Sequence, residues 1–273
     1  MAKRILSILM AALALWLCAF SAFAELRVER NEGEMYFPNE KNWVYHFTYA
    51  YPKIMGDDYT AALINDTYQM ALDEMTNLVL PMFANTPDMR FDGKNEVKHD
   101  FAVACNSDQL LSIVQFRSQE MGEETVYSLE PLTFDVSGMY AGETLTLRGV
   151  ILILAGVDPE RLEDVKPEDH PEIARIIQGS SSSIADALMP VLYERFLSHQ
   201  NLSDAEKPAY EDFEIEFSPA RDFAACQAGD AIVFYYPPML APEAYRETTT
   251  LLLSPAEIEA LLAAAPAASQ DTK

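Results

Sequence analysis

Four histidines are the first residues to test for chemistry. His46, His99, His170 and His199 are scattered, and no pair has the His-x-x-x-His or His/Cys spacing that would hold zinc. The chain has no Gly-x-Ser-x-Gly elbow, no phosphate-cradling glycine loop and no dinucleotide fingerprint. "GSSSS" at 179–183 sits just before a helical pattern beginning at Ile184, so the serines read as caps. The acidic run "DPERLEDVKPEDHPE" at 158–172 offers oxygens of the kind calcium takes, yet it lacks the Asp-x-Asp-x-Asp-Gly pattern and includes Arg161 and Lys166. It reads as a solvated helix-loop face. No catalytic residue, metal or cofactor is expected from these patterns, and the reading is of a protein that binds and does not catalyse.

Two cysteines lie outside the first 24 residues. "AVACNSDQLLSIVQF" (102–116) and "FAACQAGDAIVFYYP" (223–237) each read as strand, cysteine, short polar turn, strand. If the two hairpins lie side by side, Cys105 and Cys226 occupy equivalent ends, and a disulfide between them suits an exported chain. A pair of buried free thiols is the alternative. Neither cysteine has a histidine or basic residue close in sequence to activate it as a nucleophile.

Recognition is the other chemistry that residue types suggest. "IVFYYPPMLAPEAY" (232–245) starts as a buried strand and then meets Pro237, Pro238 and Pro242. Phe234 and Tyr236 are expected to pack on helices, with the prolines ending strand pairing. Tyr235, Pro242 and Tyr245 are the candidate partner-binding residues, because stiff prolines can hold aromatics ready for contact at little entropic cost.

The chain opens with Lys3-Arg4, an apolar run from Ile5 to Phe20 and then Ala22-Phe23-Ala24, the three-part layout of a secretory signal with cleavage after Ala24. The expected location is the periplasm or the medium, with no membrane span after cleavage; an uncleaved anchor is the alternative, since the apolar run is nearly long enough to span. The chain carries 43 Asp+Glu against 19 Lys+Arg, a formal charge of −24. Such a field repels nucleic acid and anionic lipid and favours basic partners, with salt-dependent association; the alternative is an acidic surface that serves only to keep the protein in solution.

Periodicity then sets the organisation. "LRVER" and "WVYHFTYAYP" within 26–52 predict strands, the second alternating Trp43, Tyr45, Phe47 and Tyr49 with smaller or polar residues. A helical stripe through Tyr59, Leu63, Tyr68, Leu72, Met75, Val79 and Met82 predicts one long helix over about 58–80, capped by Asp57 or Asp58 and ended or kinked at Pro81. An antiparallel meander follows over 96–149, then short helices from Asp158-Pro159 and Pro171 and an amphipathic helix over 184–197. Strands are predicted at 213–217 and 221–227, then the strand that opens "IVFYYPP" and "ETTTLLL". A last short helix starts from Ser254-Pro255-Ala256-Glu257. This order predicts an α+β fold of antiparallel sheet packed against one long and several shorter helices. The divisions are a signal at 1–24, a strand-helix-meander half at 25–150, a second half at 151–262 and a disordered tail at 263–273.

Several landmarks in order carry a family resemblance: "YP" at 51–52 ahead of the long helix with Ile64-Asn65, "LLSIVQF" at 110–116, "FDVSGMYAGETLTL" at 134–147, and "FYYPPMLAPEAY" followed by "LLLSPAEIEALL". Together they resemble the RsiV-type extracytoplasmic domain, found in a lysozyme-sensing anti-sigma factor and ahead of catalytic domains in some peptidoglycan deacetylases. The resemblance spans most of 40–262. It implies an envelope location and a partner such as a lysozyme, which is a basic protein, or a peptidoglycan fragment. It also implies that the loop bearing Pro242 and Tyr245 faces that partner. The alternatives are an assembly partner of another envelope protein, or a peptidoglycan-directed hydrolase.

Overall fold

The computed structural model describes residues 26–86, 93–121, 124–200, 207–226, 230–236 and 249–264. The expected cleavage point after Ala24 and most of the expected tail, from 265 on, lie outside them. Two antiparallel strands, β1 (Arg27–Phe37) and β2 (Tyr45–Met55), lead into a long helix. That helix comprises α1 (Tyr59–Glu74), a π-turn (Met75–Val79) and α2 (Leu80–Asn85). Then come β3 (Asn95–Asn106), β4 (Leu110–Met121) and β5 (Glu124–Asp135), which complete a five-stranded sheet in sequence order. The α+β class holds, and the sheet is antiparallel except that β2 and β3 run parallel. The long helix returns the chain to the end of the sheet where β2 began, so the next strand must point the same way.

Asp58 caps α1, its carboxylate accepting from the Ala61 amide at 2.8 Å. Pro81 does not end the helix. Leu80 N–H donates to the Met75 carbonyl five residues back, and the widened turn accommodates a residue that lacks the N–H an α-ladder needs. The buried stripe is Ala61, Ile64, Tyr68, Leu72, Leu80 and Ala84, rotated from the predicted one, so that Tyr59 is 74% exposed. It covers Tyr45, Phe47, Tyr51, Ile113 and Phe134 of the sheet as a first core. The segment after β5 crosses α1 at Gly142, where φ is +96° and a Cβ would meet that of Leu63 at 2.8 Å.

A second core gathers α3 (Leu147–Leu154), α4 (Ala174–Gln178), α5 (Ser181–Gln200), α6 (Tyr210–Glu216), α7 (Pro255–Ala264) and a three-stranded antiparallel sheet. The strands are β6 (Phe223–Cys226), β7 (Ala231–Tyr236) and β8 (Thr249–Leu253), in that order. Ser180 and Ser183 exchange amide and hydroxyl hydrogen bonds at the start of α5, confirming the capping role. Ser254 and Glu257 do the same for α7.

The strand expected at 213–217 is instead helix α6. "FEIEF" alternates at period two, but Phe213 and Phe217 are also four apart, and both are buried while Ile215 between them is 74% exposed. The aromatic cluster with Phe196 and Tyr236 selects the helical face: Phe213 stacks on Tyr236 at 4.7 Å, and Phe217 meets Phe196 edge-on at 5.4 Å.

The two sheets meet where the Ala225 amide of β6 donates to the Ser112 hydroxyl of β4 at 3.0 Å, and Ser112 in turn pairs with Thr133 of β5 at 2.8 Å. Small residues on β6 permit this close approach, and the shared hydroxyls satisfy its edge amide.

Candidate functional site

A cleft of about 470 Å³ runs along the outer edge of β5. Its walls are Arg117, Glu130 and neighbouring β5 residues on one side, and Glu216, Arg221 and Asp222 on the other. The carboxyl end of β5 is covered: Leu145 N–H donates to Thr133 O at 2.7 Å, and Asp135 N–H to Glu143 O at 3.0 Å. These bonds fix which residues of the strand turn their backbone outward. By the same alternation the amides and carbonyls of Thr125, Tyr127 and Leu129, and the Pro131 carbonyl, face away from β4. Proline there removes one edge donor and shortens the run available for pairing.

Both guanidinium groups in the cleft wall are committed to carboxylates. Arg221 binds Asp222 through two nitrogens at 2.8 and 2.9 Å and reaches the Glu216 carbonyl at 2.9 Å. The hydrogen bond to Asp222 raises the Arg221 pKa, with burial opposing. Arg117 is ion-paired with Glu130 and donates to Gln115 Oε1 at 3.2 Å.

Behind Arg117, under α1, a polar cluster interrupts the first core. The Tyr51 hydroxyl and His99 Nδ1 share a 2.7 Å hydrogen bond, and His99 lies edge-on to Phe47 at 5.0 Å. Burial, with the Arg117 charge adding to it, lowers the His99 pKa to about 3, so the imidazole is neutral. Burial pushes the Tyr51 hydroxyl up to about 12, with Arg117 opposing and Glu130 adding. Tyr68 of α1 is also raised, by burial first and then by Glu130. Gln115 Nε2, Arg117 Nε and the Tyr68 hydroxyl are buried with no hydrogen-bond partner among the described residues. Gln115 is 1% and Tyr68 2% exposed. Unmet donors at this depth cost roughly 1–3 kcal/mol each.

These residues carry no motif. They could have been found by following strand parity: Ile113, Gln115 and Arg117 share the core-facing side of β4, so the polar pair continues an apolar face.

Tyr235 is half-buried on β7, where its amide donates to the Asp222 carbonyl at 2.9 Å. Burial raises its hydroxyl pKa to about 12, and the Cys226 charge adds to the shift. Pro242 and Tyr245 lie outside the described residues. Phe234 and Tyr236 pack into the second core as expected. Cys105 and Cys226 are unbridged, Cys105 buried and Cys226 half-buried. His46 joins Glu34 and Glu96 at 3.2 and 2.9 Å and stacks on Tyr36. Among the described residues no group of three or more His, Cys, Asp or Glu side chains is placed to hold a metal ion, and no helix is long and apolar enough to cross a membrane.

The fold is an α+β arrangement of a five-stranded mixed sheet, a three-stranded antiparallel sheet and the helices around them. Its structural neighbours are DUF3298 family proteins. One, from Pseudomonas aeruginosa PAO1, aligns over 83% of this chain and 89% of its own with a TM-score of 0.47 and 15% identity. Another, from Bacteroides fragilis NCTC 9343, aligns over 84% and 90% with a TM-score of 0.44 and 11% identity. No family model matches the chain, and no curated protein matches it.

Proposed function

We propose that the chain is an exported, non-catalytic binding domain of the cell envelope that takes a cationic protein such as a lysozyme, or a cell-wall fragment. Residues 1–24 serve as its signal. The observation that carries this reading is the charge imbalance, 43 acidic against 19 basic residues. Over a chain of this size the summed field raises the local concentration and the on-rate of basic partners. The cleft along β5 supports the same reading, since its two arginines are already neutralised and Glu216 remains beside them. An incoming cation meets no free positive charge on those walls. The resemblance to the RsiV-type domain names the partner class, and the loop with Pro242 and Tyr245 is the proposed second contact.

Calorimetric titration of the purified protein with lysozyme and with muropeptides, at low and moderate salt, tests this. Binding of lysozyme that weakens steeply as salt rises is the expected result. Silence with both ligands at low salt removes the proposal.

A further inference from the structure

The two cysteines belong to different sheets, yet the strands that carry them converge on the same residue, Ser112. Cys105 stands opposite Ser112 in the β3–β4 ladder, just past a bulge. The Ser112 hydroxyl accepts from the amide of Ala225, the residue before Cys226, at 3.0 Å. β6 therefore presses its edge onto the sheet at the point where Cys105 ends its strand. Each cysteine precedes the turn of its hairpin. Burial, which comes first, and the charge of Cys226 both raise the Cys105 thiol pKa, with a hydrogen bond to Ser107 opposing.

We propose that Cys105 and Cys226 are a cross-sheet oxidation site, closed to a disulfide by a small-molecule disulfide or a dithiol-disulfide oxidant. Cys226 is the more accessible thiol, so its thiolate attacks the oxidant first, forming a mixed disulfide and releasing one thiolate. The Cys105 thiolate then attacks the Cys226 sulfur and expels the second. The protein loses two protons and two electrons, and the oxidant disulfide is reduced to two thiols. The bond ties β3 to β6 across the contact that Ser112 and Ala225 already make. It closes a long loop of chain, so its main effect is on the unfolded state.

The test uses the full chain equilibrated with glutathione disulfide, denatured, alkylated and read by peptide mass spectrometry, so that Cys18 is scored separately. A Cys105–Cys226 cross-linked peptide, lost on reduction, is expected. The melting temperature should rise on the order of 10 °C over the reduced protein. In Cys105→Ser the mixed glutathione adduct on Cys226 should persist, because the resolving thiol is gone. The proposal is overturned if both thiols alkylate fully after oxidation, if each carries its own glutathione, or if the only bridged species joins two chains.

Discussion

The two cores bury similar aromatics but treat polar groups in opposite ways. Beneath α1 the first core holds Tyr51, His99, Gln115 and Tyr68, and two of those side chains leave a donor or hydroxyl unpaired. In the second core the buried carboxylates sit at the margin and are fully engaged. Glu259 of α7 accepts from the amides of Arg175 and Ile176 at the start of α4, at 3.1 and 3.3 Å, and from the Arg175 side chain at 3.3 Å. A short helix with no cap of its own thus receives one from a distant element. The second core satisfies its buried carboxylates within the fold, while the first carries polar groups at a cost that stability alone does not explain.

The largest effect should come from the second core. Phe213→Ala removes a ring in contact with four other aromatics and should cost about 3–5 kcal/mol by urea denaturation; a loss below 1 kcal/mol would mean that α6 can be shed without loss of the core. Next is acid. His99 has a folded pKa near 3, below the value near 6.5 of an unfolded chain. The stability it contributes is present above that unfolded value and is lost as pH falls toward 3, at up to about 1.4 kcal/mol per pH unit. His99→Gln should flatten the profile over that window, and identical wild-type and variant slopes would show that the imidazole is not held neutral.

Glu259→Gln keeps the shape of the cap and removes its charge, so a loss of about 1–3 kcal/mol is expected from thermal melts. The smallest effect tests the contrast most sharply. Gln115→Leu deletes an unpaired donor and one bond from Arg117, which retains Glu130, and stability should change by no more than about 1 kcal/mol in either direction. A loss well beyond that would show that Gln115 Nε2 is satisfied in solution, and that the first core is less frustrated than its contacts imply.

Much of the backbone plan was legible because local rules and tertiary packing agreed. The alternation in β2, the Asp58 cap, the serine caps of α5 and the Ser254–Glu257 box each rest on neighbours within four residues. The errors arose where distant contacts chose between two local answers. Residues 213–217 satisfy both periods, and only Phe196 and Tyr236 decide for the helix. At Pro81 the local rule allows an end or a kink, and the chain instead continues through the π-turn at Met75–Val79, which spares the N–H that proline lacks. The parallel pairing of β2 and β3 follows from the return path of the helix, which no periodicity encodes. The binding candidates are the least legible part: Tyr235 stands out by composition, whereas strand parity puts Gln115 and Arg117 on the core side of β4, and only the convergence of strands and helix brings His99, Tyr51 and Tyr68 to them.

The π-turn also constrains how the gene can change. A helix advances each residue by about 100°, so the surplus member of Met75–Val79 sets the azimuth of everything after it. Excising a single codon there would restore regular winding yet swing Leu80 and Ala84 out toward solvent. It would also return Pro81 to a ladder that has no place for it. This stretch should therefore accept exchanges of side chain far more readily than any change of length.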